Sequence, residues 1–248
     1  MTGVFDKYSK YYDLIYSYKD TPAEVSYLID LLSRFGVTGG SLLEFGSGTG
    51  RHARLLSEKG FEVDGIEQSP EMINRCMPHE RCIFQQGDIA SFKTGKKYNA
   101  VLSLFHVISY QQTNSRINQV FQNASNHLDK DGLFVFDVWY TPAVLTISPT
   151  VRVKKLRSDD FDLVRVAEPT MRTEENIVDV SYTIFARSSE TSSYTSFNEV
   201  HSMRYFSIPE LHFFAELNGF KLLCSEEWMT RKPPSPQAWG VCIVLQKV

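Results

Sequence analysis

The chain contains 248 residues, with 26 Lys or Arg against 29 Asp or Glu, which gives a formal net charge of −3. Because binding to nucleic-acid phosphates needs a concentrated basic surface, this balance argues against a nucleic-acid partner. No apolar run approaches the ~18 residues that a membrane helix needs, and residues 1–7 lack the basic and apolar regions of a secretory signal. We therefore expect a cytoplasmic protein without a membrane partner, long enough for one α/β domain that carries an insertion.

The spacing of cysteine and histidine predicts neither a metal site nor a disulfide framework. The four cysteines form no C-x-x-C pair, and the six histidines form no H-E-x-x-H motif. We expect all four thiols to be reduced.

Residues 1–36 are predicted to form a helical segment ahead of the first strand. Tyrosines crowd this segment, and Tyr12 and Tyr16 are four residues apart, so they share one helix face. Such spacing is typical of a packing face, but it also suits aromatic rings that close over a ligand.

The most informative stretch is a predicted strand, Ser41–Phe45, that leads through a glycine-rich turn into a helix at Arg51–Lys59. Glycine at alternate positions lets the backbone turn tightly and approach a ligand with no Cβ in the way. A dinucleotide-binding turn reads G-x-G-x-x-G, whereas this turn reads G-x-G-x-G, with an acid two residues before the first glycine. The residues assigned here to a nucleoside cofactor are Glu44, Gly46, Ser47, Gly48 and Gly50.

Two further acids follow the next two predicted strands. Glu67 comes directly after the strand at 61–66, about 20 residues beyond the glycine turn, where a carboxylate can accept both ribose hydroxyls. Asp88 follows the strand Cys82–Gln86. Three acids at the ends of successive strands are hard to obtain by chance, so we predict that they line one cofactor site.

The later elements continue the alternation of strands and helices. Predicted strands at 97–105 and 133–137 flank an amphipathic helix at 115–128. After Pro142 the pattern changes to strand-like segments with period-2 alternation, polar turns and no helix. These segments are 151–156, 161–166, 177–187 and 195–206. A helix at 209–218 and strands at 220–225 and 239–246 end the chain.

This order predicts an α/β fold, a doubly wound, Rossmann-like, seven-stranded, mostly parallel sheet with an antiparallel insert after the fifth strand. We assign residues 1–142 and 207–248 to the core and 143–206 to the insert. Ligands of open α/β sheets bind outside the carboxyl ends of the strands, so we expect the insert to cover the site. A dimer surface is the second interpretation of the insert, and both a monomer and a homodimer stay open.

The glycine turn with its acid resembles motif I of the class I S-adenosylmethionine (SAM) methyltransferases. That resemblance implies that the turn lies against the methionine part of SAM, that Asp88 accepts the adenine amino group, and that the N–H of Ile89 meets the ring. The predicted cofactor site also includes Gln68 and Leu104. Nearly end to end, the chain is similar to the sugar-nucleotide N-methyltransferases of deoxyamino-sugar pathways, such as those of desosamine and mycaminose. The matching segments are 12–16, 43–50, 87–88, 104–110, 138–142, the insert and the proline-rich loop at 233–236.

The same resemblance implies a tyrosine that closes over cofactor and acceptor, and a histidine near the acceptor amine after the fourth strand. The tyrosine maps to Tyr12, whereas Tyr110 aligns with the histidine and His106 lies one helical turn earlier. These three residues are the catalytic candidates, as groups that accept the amine proton or orient the amine. His106 could instead be a packing residue at a strand end. The predicted acceptor-binding residues are Tyr16, Trp139, Tyr140 and His201.

We therefore expect an enzyme that uses SAM, releases S-adenosylhomocysteine (SAH) and N-methylates a nucleotide-linked deoxyamino sugar. A second possibility keeps SAM but methylates a hydroxyl or amine of another small molecule. A third is a SAM- or SAH-binding protein without turnover, and a fourth is an NAD-dependent oxidoreductase, which the glycine spacing disfavours. An acceptor diphosphate would require Arg or Lys. The insert offers several such residues, among which the sequence does not choose: Arg152, Lys154, Lys155, Arg157, Arg172 and Arg204.

Overall fold

The computed structural model describes Phe5 and residues 7–248. The strands are β1 (Ser41–Phe45), β2 (Glu62–Glu67), β3 (Cys82–Gln86), β4 (Tyr98–Ser103), β5 (Leu128–Tyr140), β6 (Arg152–Arg157), β7 (Phe161–Arg172), β8 (Ile177–Ser188), β9 (Tyr194–Phe206), β10 (Phe220–Glu227) and β11 (Gly240–Lys247). The helices are α1 (Tyr12–Ile15), α2 (Thr21–Arg34), α3 (Arg51–Glu58), α4 (Pro70–Ile73), α5 (Asn114–His127), α6 (Thr141–Thr146) and α7 (Ile208–Leu217). Short 3₁₀ turns lie at Tyr8–Tyr11, Val107–Tyr110 and Thr173–Glu175.

The core sheet has the predicted doubly wound arrangement. Its strands run in the order β3-β2-β1-β4-β5 with parallel neighbours, and β11 pairs antiparallel with β5 and with β10. One face packs against α5 and α7 through a cluster that contains Phe121, Phe134 and Phe214. The opposite face packs against α2 and α3 through Leu28 and Leu56. The strand order reverses between β1 and β4, which is where such sheets bind ligands.

The insert is an antiparallel meander of β6 to β9. Strand β9 returns to the core and pairs in parallel with the end of β5, Trp139 opposite Tyr205 and Tyr140 opposite Phe206. Hydrogen bonding is therefore continuous through a sheet of eleven strands. The predicted count of seven fits the core alone, because the sequence does not show that the insert joins the same sheet.

Local capping places the elements that surround the site. Ser69 caps α4 by accepting a hydrogen bond from the N–H of Met72 at 3.3 Å, with Pro70 in the first turn. Thr113 caps α5 by accepting from the N–H of Arg116 at 3.2 Å. Arg116 therefore lies in the first turn of a helix that begins beside the carboxyl end of the sheet.

Some details of the predicted elements differ from the structure. The segment after Pro142 is not free of helix, since α6 begins directly after β5. Strand β5 begins five residues earlier than predicted and passes through Asp131, whose φ of 66° marks an irregularity that the chain accommodates within the strand. The predicted N-terminal helical segment, 1–36, contains a 3₁₀ turn, α1 and α2, and its residues 1–4 and 6 lie outside the described residues. Across the described chain, no helix is long and apolar enough to cross a membrane.

Candidate functional site

A cavity of about 1110 Å³ opens at the carboxyl ends of β1, β2 and β4 and extends to the inner face of the insert. Most of the predicted site residues line it: Tyr12, Tyr16, Glu44, Gly46, Ser47, Gly48, Glu67, Gln68, Asp88, Ile89, Leu104, His106, Tyr110 and Trp139. Three others lie off its lining, namely Gly50, Tyr140 and His201. Tyr140 packs against the hydrophobic cluster under α5 and α7, and His201 contacts the cavity through Tyr110.

The three glycines of the turn have different roles. All have positive φ, with values of 71°, 55° and 72° for Gly46, Gly48 and Gly50. A Cβ at Gly46 would lie 2.6 Å from Val107, and a Cβ at Gly50 would lie 2.6 Å from Phe84, so both positions are closed by packing. A Cβ at Gly48 would meet no atom of the described residues within 4 Å, its chain neighbours aside. Gly48 is therefore the position at which bare backbone faces ligand space.

Glu67 ties the glycine turn to the next helix. One carboxylate oxygen accepts the N–H of Gly48 at 2.9 Å, and the other accepts the N–H of Ser69 at 2.8 Å. Each oxygen keeps one lone pair for a further donor, which fits a pair of neighbouring hydroxyls. Glu67, which is predicted to accept the ribose hydroxyls, therefore also holds the glycine turn in place.

Asp88 is held by a cation that sequence reasoning missed. Its Oδ1 accepts from Arg116 at 2.7 Å and from the N–H of Ala90 at 2.9 Å, while Nε of Arg116 donates to Gln111 at 3.2 Å. The hydrogen bond from Arg116 lowers the pKa of Asp88 below its usual value, against an opposing effect of burial. The second oxygen, Oδ2, has no protein partner among the described residues, so it can accept an amino group.

Glu44 is a buried acid with an unpartnered oxygen. The residue is 2% exposed, and Oε2 has no hydrogen-bond partner among the described residues. Burial raises the pKa of Glu44 to about 8, and the nearby charge of Glu67 adds to this shift. A buried carboxylate of this kind is neutral until a cation arrives, so the site favours a positively charged ligand.

A second group of charges borders Glu44 and was also missed from the sequence. Glu24 accepts from Lys19 at 3.0 Å and from Nε2 of His52 at 2.9 Å, and Nδ1 of His52 lies 4.0 Å from Glu44. Lys19 also lies 3.5 Å over the ring of Phe105. Lys19 and His52 both line the cavity, so this end can hold an ammonium at Glu44 and a carboxylate beside it.

His106 stands over a buried aspartate at the end of β5. Its Nδ1 lies 2.7 Å from Oδ2 of Asp137, and its backbone N–H donates to Oδ1 at 3.2 Å. The geometry is not that of a linear hydrogen bond, so the ring and the carboxylate make a close polar contact. Burial opposes ionisation of Asp137, but the adjoining ring of His106 and the hydrogen bond from its backbone N–H hold the pKa of Asp137 below the usual value.

The conformation at this position is strained. Phe105 and His106 both have φ of 62°, in the left-handed region that side chains with a Cβ seldom adopt. Nε2 of His106 has no partner among the described residues, whereas the Nδ1 side of the ring faces Asp137. The strand end thus presents a histidine whose free nitrogen is available to the cavity.

Tyrosines form the remaining wall. The hydroxyl of Tyr110 pairs with Nδ1 of His201 at 2.9 Å, and Nε2 of His201 lies 3.4 Å from Glu199. The rings of Tyr12 and Tyr16 lie 4.7 Å apart between centroids, and Tyr16 makes an edge contact with Phe105. Burial raises the pKa of Tyr12, Tyr16 and Tyr110 well above the usual value, so these hydroxyls stay protonated.

Three acids at strand ends around a glycine turn, at the point where the strand order reverses, define a Rossmann-like nucleoside-binding enzyme fold. A family profile described as "Methyltransferase domain" matches residues 19–225, and the chain belongs to this family. It is a class I SAM-dependent methyltransferase. The charge of the site agrees, because SAM brings an ammonium and a sulfonium to an end of the cavity that is lined by Glu44 and Glu67.

Curated relatives and a solved structure are similar over most of the chain. A dTDP-3-amino-3,4,6-trideoxy-alpha-D-glucopyranose N,N-dimethyltransferase from Streptomyces venezuelae is 26% identical over 198 residues, which cover 79% of this chain and 82% of that protein. A dTDP-3-amino-3,6-dideoxy-alpha-D-glucopyranose N,N-dimethyltransferase from Streptomyces fradiae is 26% identical over 178 residues, 70% of this chain and 69% of that protein. The crystal structure of Streptomyces venezuelae DesVI has a TM-score of 0.80, with 24% identity over 97% of this chain and 98% of that one.

We predict opposite effects of Glu44→Gln on stability and on cofactor binding. Because the folded pKa of about 8 exceeds the unfolded value of about 4.3, the free energy of unfolding of the ligand-free wild type falls as pH rises between these values. The glutamine variant escapes that loss, so it unfolds at a higher temperature than the wild type above pH 8. SAM affinity falls at least about tenfold, as expected for loss of one charge-assisted contact.

Thermal unfolding across pH and calorimetric titration with SAM measure the two effects of Glu44→Gln. The matched control is Glu62→Gln, since Glu62 is an exposed glutamate on β2. A stability difference that does not change with pH, or an unchanged SAM affinity, contradicts the role given to Glu44.

We predict that Arg116→Gln makes SAM binding sensitive to mild acid. Without the guanidinium, Asp88 becomes protonated at a higher pH, so the affinity for SAM starts to fall earlier as pH is lowered. Dissociation constants measured from neutral to acidic pH test this, with Arg54→Gln as control because Arg54 pairs with Glu58 on the exposed surface of α3. Identical pH profiles for the variant and the wild type would show that Arg116 does not support Asp88.

Proposed function

We propose that the protein transfers the methyl group of SAM to the amino group of a nucleotide-linked deoxyamino sugar. The observation that carries this proposal is the continuous cavity, in which the SAM end and the insert end meet beside the pair His106–Asp137. The names of the two Streptomyces relatives support the acceptor class. By their names they act on dTDP-linked amino sugars, and the sequence similarity covers 79% and 70% of this chain.

Bound SAM supplies a methyl group on a sulfonium, so that a carbon–nitrogen bond forms as the carbon–sulfur bond breaks and SAH leaves. The protein has to hold the acceptor amine in line and remove one proton, because an ammonium has no lone pair to attack with. His106 accepts this proton at Nε2. Asp137 then stabilises the imidazolium through the contact at Nδ1, in the way that a buried carboxylate supports a histidine base.

The tyrosines have a different role in this proposal. Because burial keeps the hydroxyls of Tyr12 and Tyr110 protonated, neither serves as a base near neutral pH. Their hydroxyls orient the acceptor instead, as hydrogen-bond donors, and Trp139 walls the amine pocket beside His106, at 6.1 Å between ring centroids. Tyr16 closes the same side of the cavity through its contact with Phe105.

The insert, residues 143–206, covers the acceptor in this proposal. Val180, Tyr182 and Met203 present their side chains to the cavity from β8 and β9. His201, buried behind this wall, supports Tyr110 and has no direct contact with the acceptor. We infer that the protein is cytoplasmic, a compartment in which cysteines stay reduced. We also infer that it acts without nucleic acid, as a monomer or a homodimer.

We predict that the purified protein converts a dTDP-linked 3-amino deoxysugar and SAM into the N-methylated sugar nucleotide and SAH. Mass spectrometry of the sugar nucleotide, with SAH release measured in parallel, gives the direct test. The matched control is the same sugar nucleotide with a hydroxyl in place of the amino group, which should release SAH no faster than a reaction without acceptor. Faster turnover of the hydroxyl compound would identify an O-methyltransferase, and SAH release from neither would contradict the proposed acceptor.

We predict that His106→Gln lowers kcat by about 10² to 10⁴, the usual contribution of a general base, and leaves SAM affinity unchanged. The loss should shrink as pH rises, because more of the amine then arrives neutral from solution. Steady-state kinetics across pH and calorimetry with SAM measure both effects, with the exposed His212→Gln as control. Parallel losses in turnover and SAM affinity, or a defect that does not change with pH, would assign His106 a structural role.

A further inference from the structure

The insert end of the cavity carries positive charge without an acid, whereas the other end carries charges of both signs. At the SAM end the lining contains the carboxylates of Glu44, Glu67 and Asp88 together with the cations Lys19, Arg51 and Arg116. Where the insert contributes, the lining contains Arg152 and Arg165 and no acid among the described residues. The half of the site that the insert lines therefore carries an excess of positive charge, which suits a ligand of negative charge.

Arg165 is the main carrier of this charge. It lies on β7 and is 6% exposed, yet no carboxylate of the described chain pairs with it. Nη1 donates to the hydroxyl of Tyr8 at 3.0 Å, the guanidinium lies 5.0 Å from the ring centre of Tyr182, and Nε has no partner among the described residues. A neutral hydroxyl and an aromatic face do not neutralise the charge.

Four other arginines of the insert have acidic partners, unlike Arg165. Arg157 and Arg187 pair with Asp162, Arg172 pairs with Glu175 and Asp179, and Arg204 pairs with Glu210 of α7. Their charges are neutralised within the protein. Arg165 is buried and lines the cavity, and no acid of the described residues pairs with it. A buried charge without a counter-ion is costly unless a ligand supplies one.

Arg152 lies close enough to share the same ligand. Strands β6 and β7 pair antiparallel, with Arg152 opposite Ala167 and Lys154 opposite Arg165. Residues that are directly or diagonally opposite on paired strands point to one face of the sheet. Both arginines line the cavity. Arg152 is exposed and Arg165 is buried, so one elongated ligand can contact both guanidiniums.

We propose that Arg165, with Arg152 at the mouth, binds the diphosphate of the acceptor. This inference rests on the proposed function, which gives the acceptor two linked phosphate groups. A guanidinium donates two parallel hydrogen bonds to phosphate oxygens, and its two Nη groups form such a fork. The diphosphate lies against β6 and β7, and the amino sugar reaches past Tyr182 toward His106. A carboxylate-bearing acceptor would offer the same chemistry with one anionic group.

The test is calorimetric titration of thymidine diphosphate into the SAH-saturated protein, which needs no turnover. We expect Arg165→Gln to raise the dissociation constant for thymidine diphosphate at least about tenfold, the effect of one lost charge-assisted contact. Arg152→Gln should have a smaller effect. Arg157→Gln is the matched control, because Arg157 is an exposed, paired arginine of the same sheet, and it should change nothing.

Thymidine and glycine, titrated in the same way, separate the two sources of negative charge. Thymidine should bind the wild type and Arg165→Gln equally, and glycine should not bind at all. An equal affinity of the wild type and Arg165→Gln for thymidine diphosphate overturns the inference, as does the absence of binding to the wild type. Glycine binding that depends on Arg165 overturns it in favour of a carboxylate acceptor.

Two further measurements keep the outcome interpretable. SAH affinity reports whether Arg165→Gln is folded, and if it is not, Arg165→Lys carries the test, because it keeps the charge but loses the fork. An unchanged affinity of the lysine variant for thymidine diphosphate would then overturn the inference. If binding depends on Arg165 while no amino-sugar nucleotide is methylated, the proposed acceptor fails and the diphosphate site stands.

Discussion

The parallel pairing of β1 with β2 and β4 is the constraint on which the site depends. This register brings the carboxyl ends of neighbouring strands to one edge of the sheet, so Glu44 and Glu67 meet although they are distant in the chain. Glu67 then fixes the glycine turn by accepting the N–H of Gly48, and Asp137 supports His106 from the end of β5. Cofactor recognition and proton removal are therefore consequences of one strand arrangement.

Much of the fold could be predicted from periodicity. Strands β1 and β3 begin and end at the predicted residues, because turn residues on both sides of a short run leave little choice of where the strand begins and ends. The start of β5 was misplaced because Asp131-Gly132 is typical of a turn, yet here it lies within the strand. Strand β7 was predicted to end at Val166 but continues past Pro169. The proline is tolerated because β6 pairs with β7 only as far as Ala167, so no neighbouring strand on that side requires an N–H from residue 169.

The site could be predicted only in part, since the sequence shows strand ends but not which side chains meet across them. The acids and the glycine turn have a strong local spacing. Arg116 and Asp137 pair with predicted residues from distant elements, so they had no local signal. The role of Arg165 does have one: Leu163, Arg165 and Ala167 alternate on the buried face of β7, and a charge in an apolar alternation marks a cavity or an ion pair.

The account depends most on the positive charge of Arg165 at the insert end of the cavity, since it places the anionic acceptor on the side of His106 opposite to the cofactor. A crystal structure of the protein with SAH and thymidine diphosphate tests this arrangement most directly. We expect the adenosine against Glu67 and Asp88, and the diphosphate on Arg165. A complex in which the diphosphate binds at the glycine turn, or outside the cavity away from Arg165, would contradict the account.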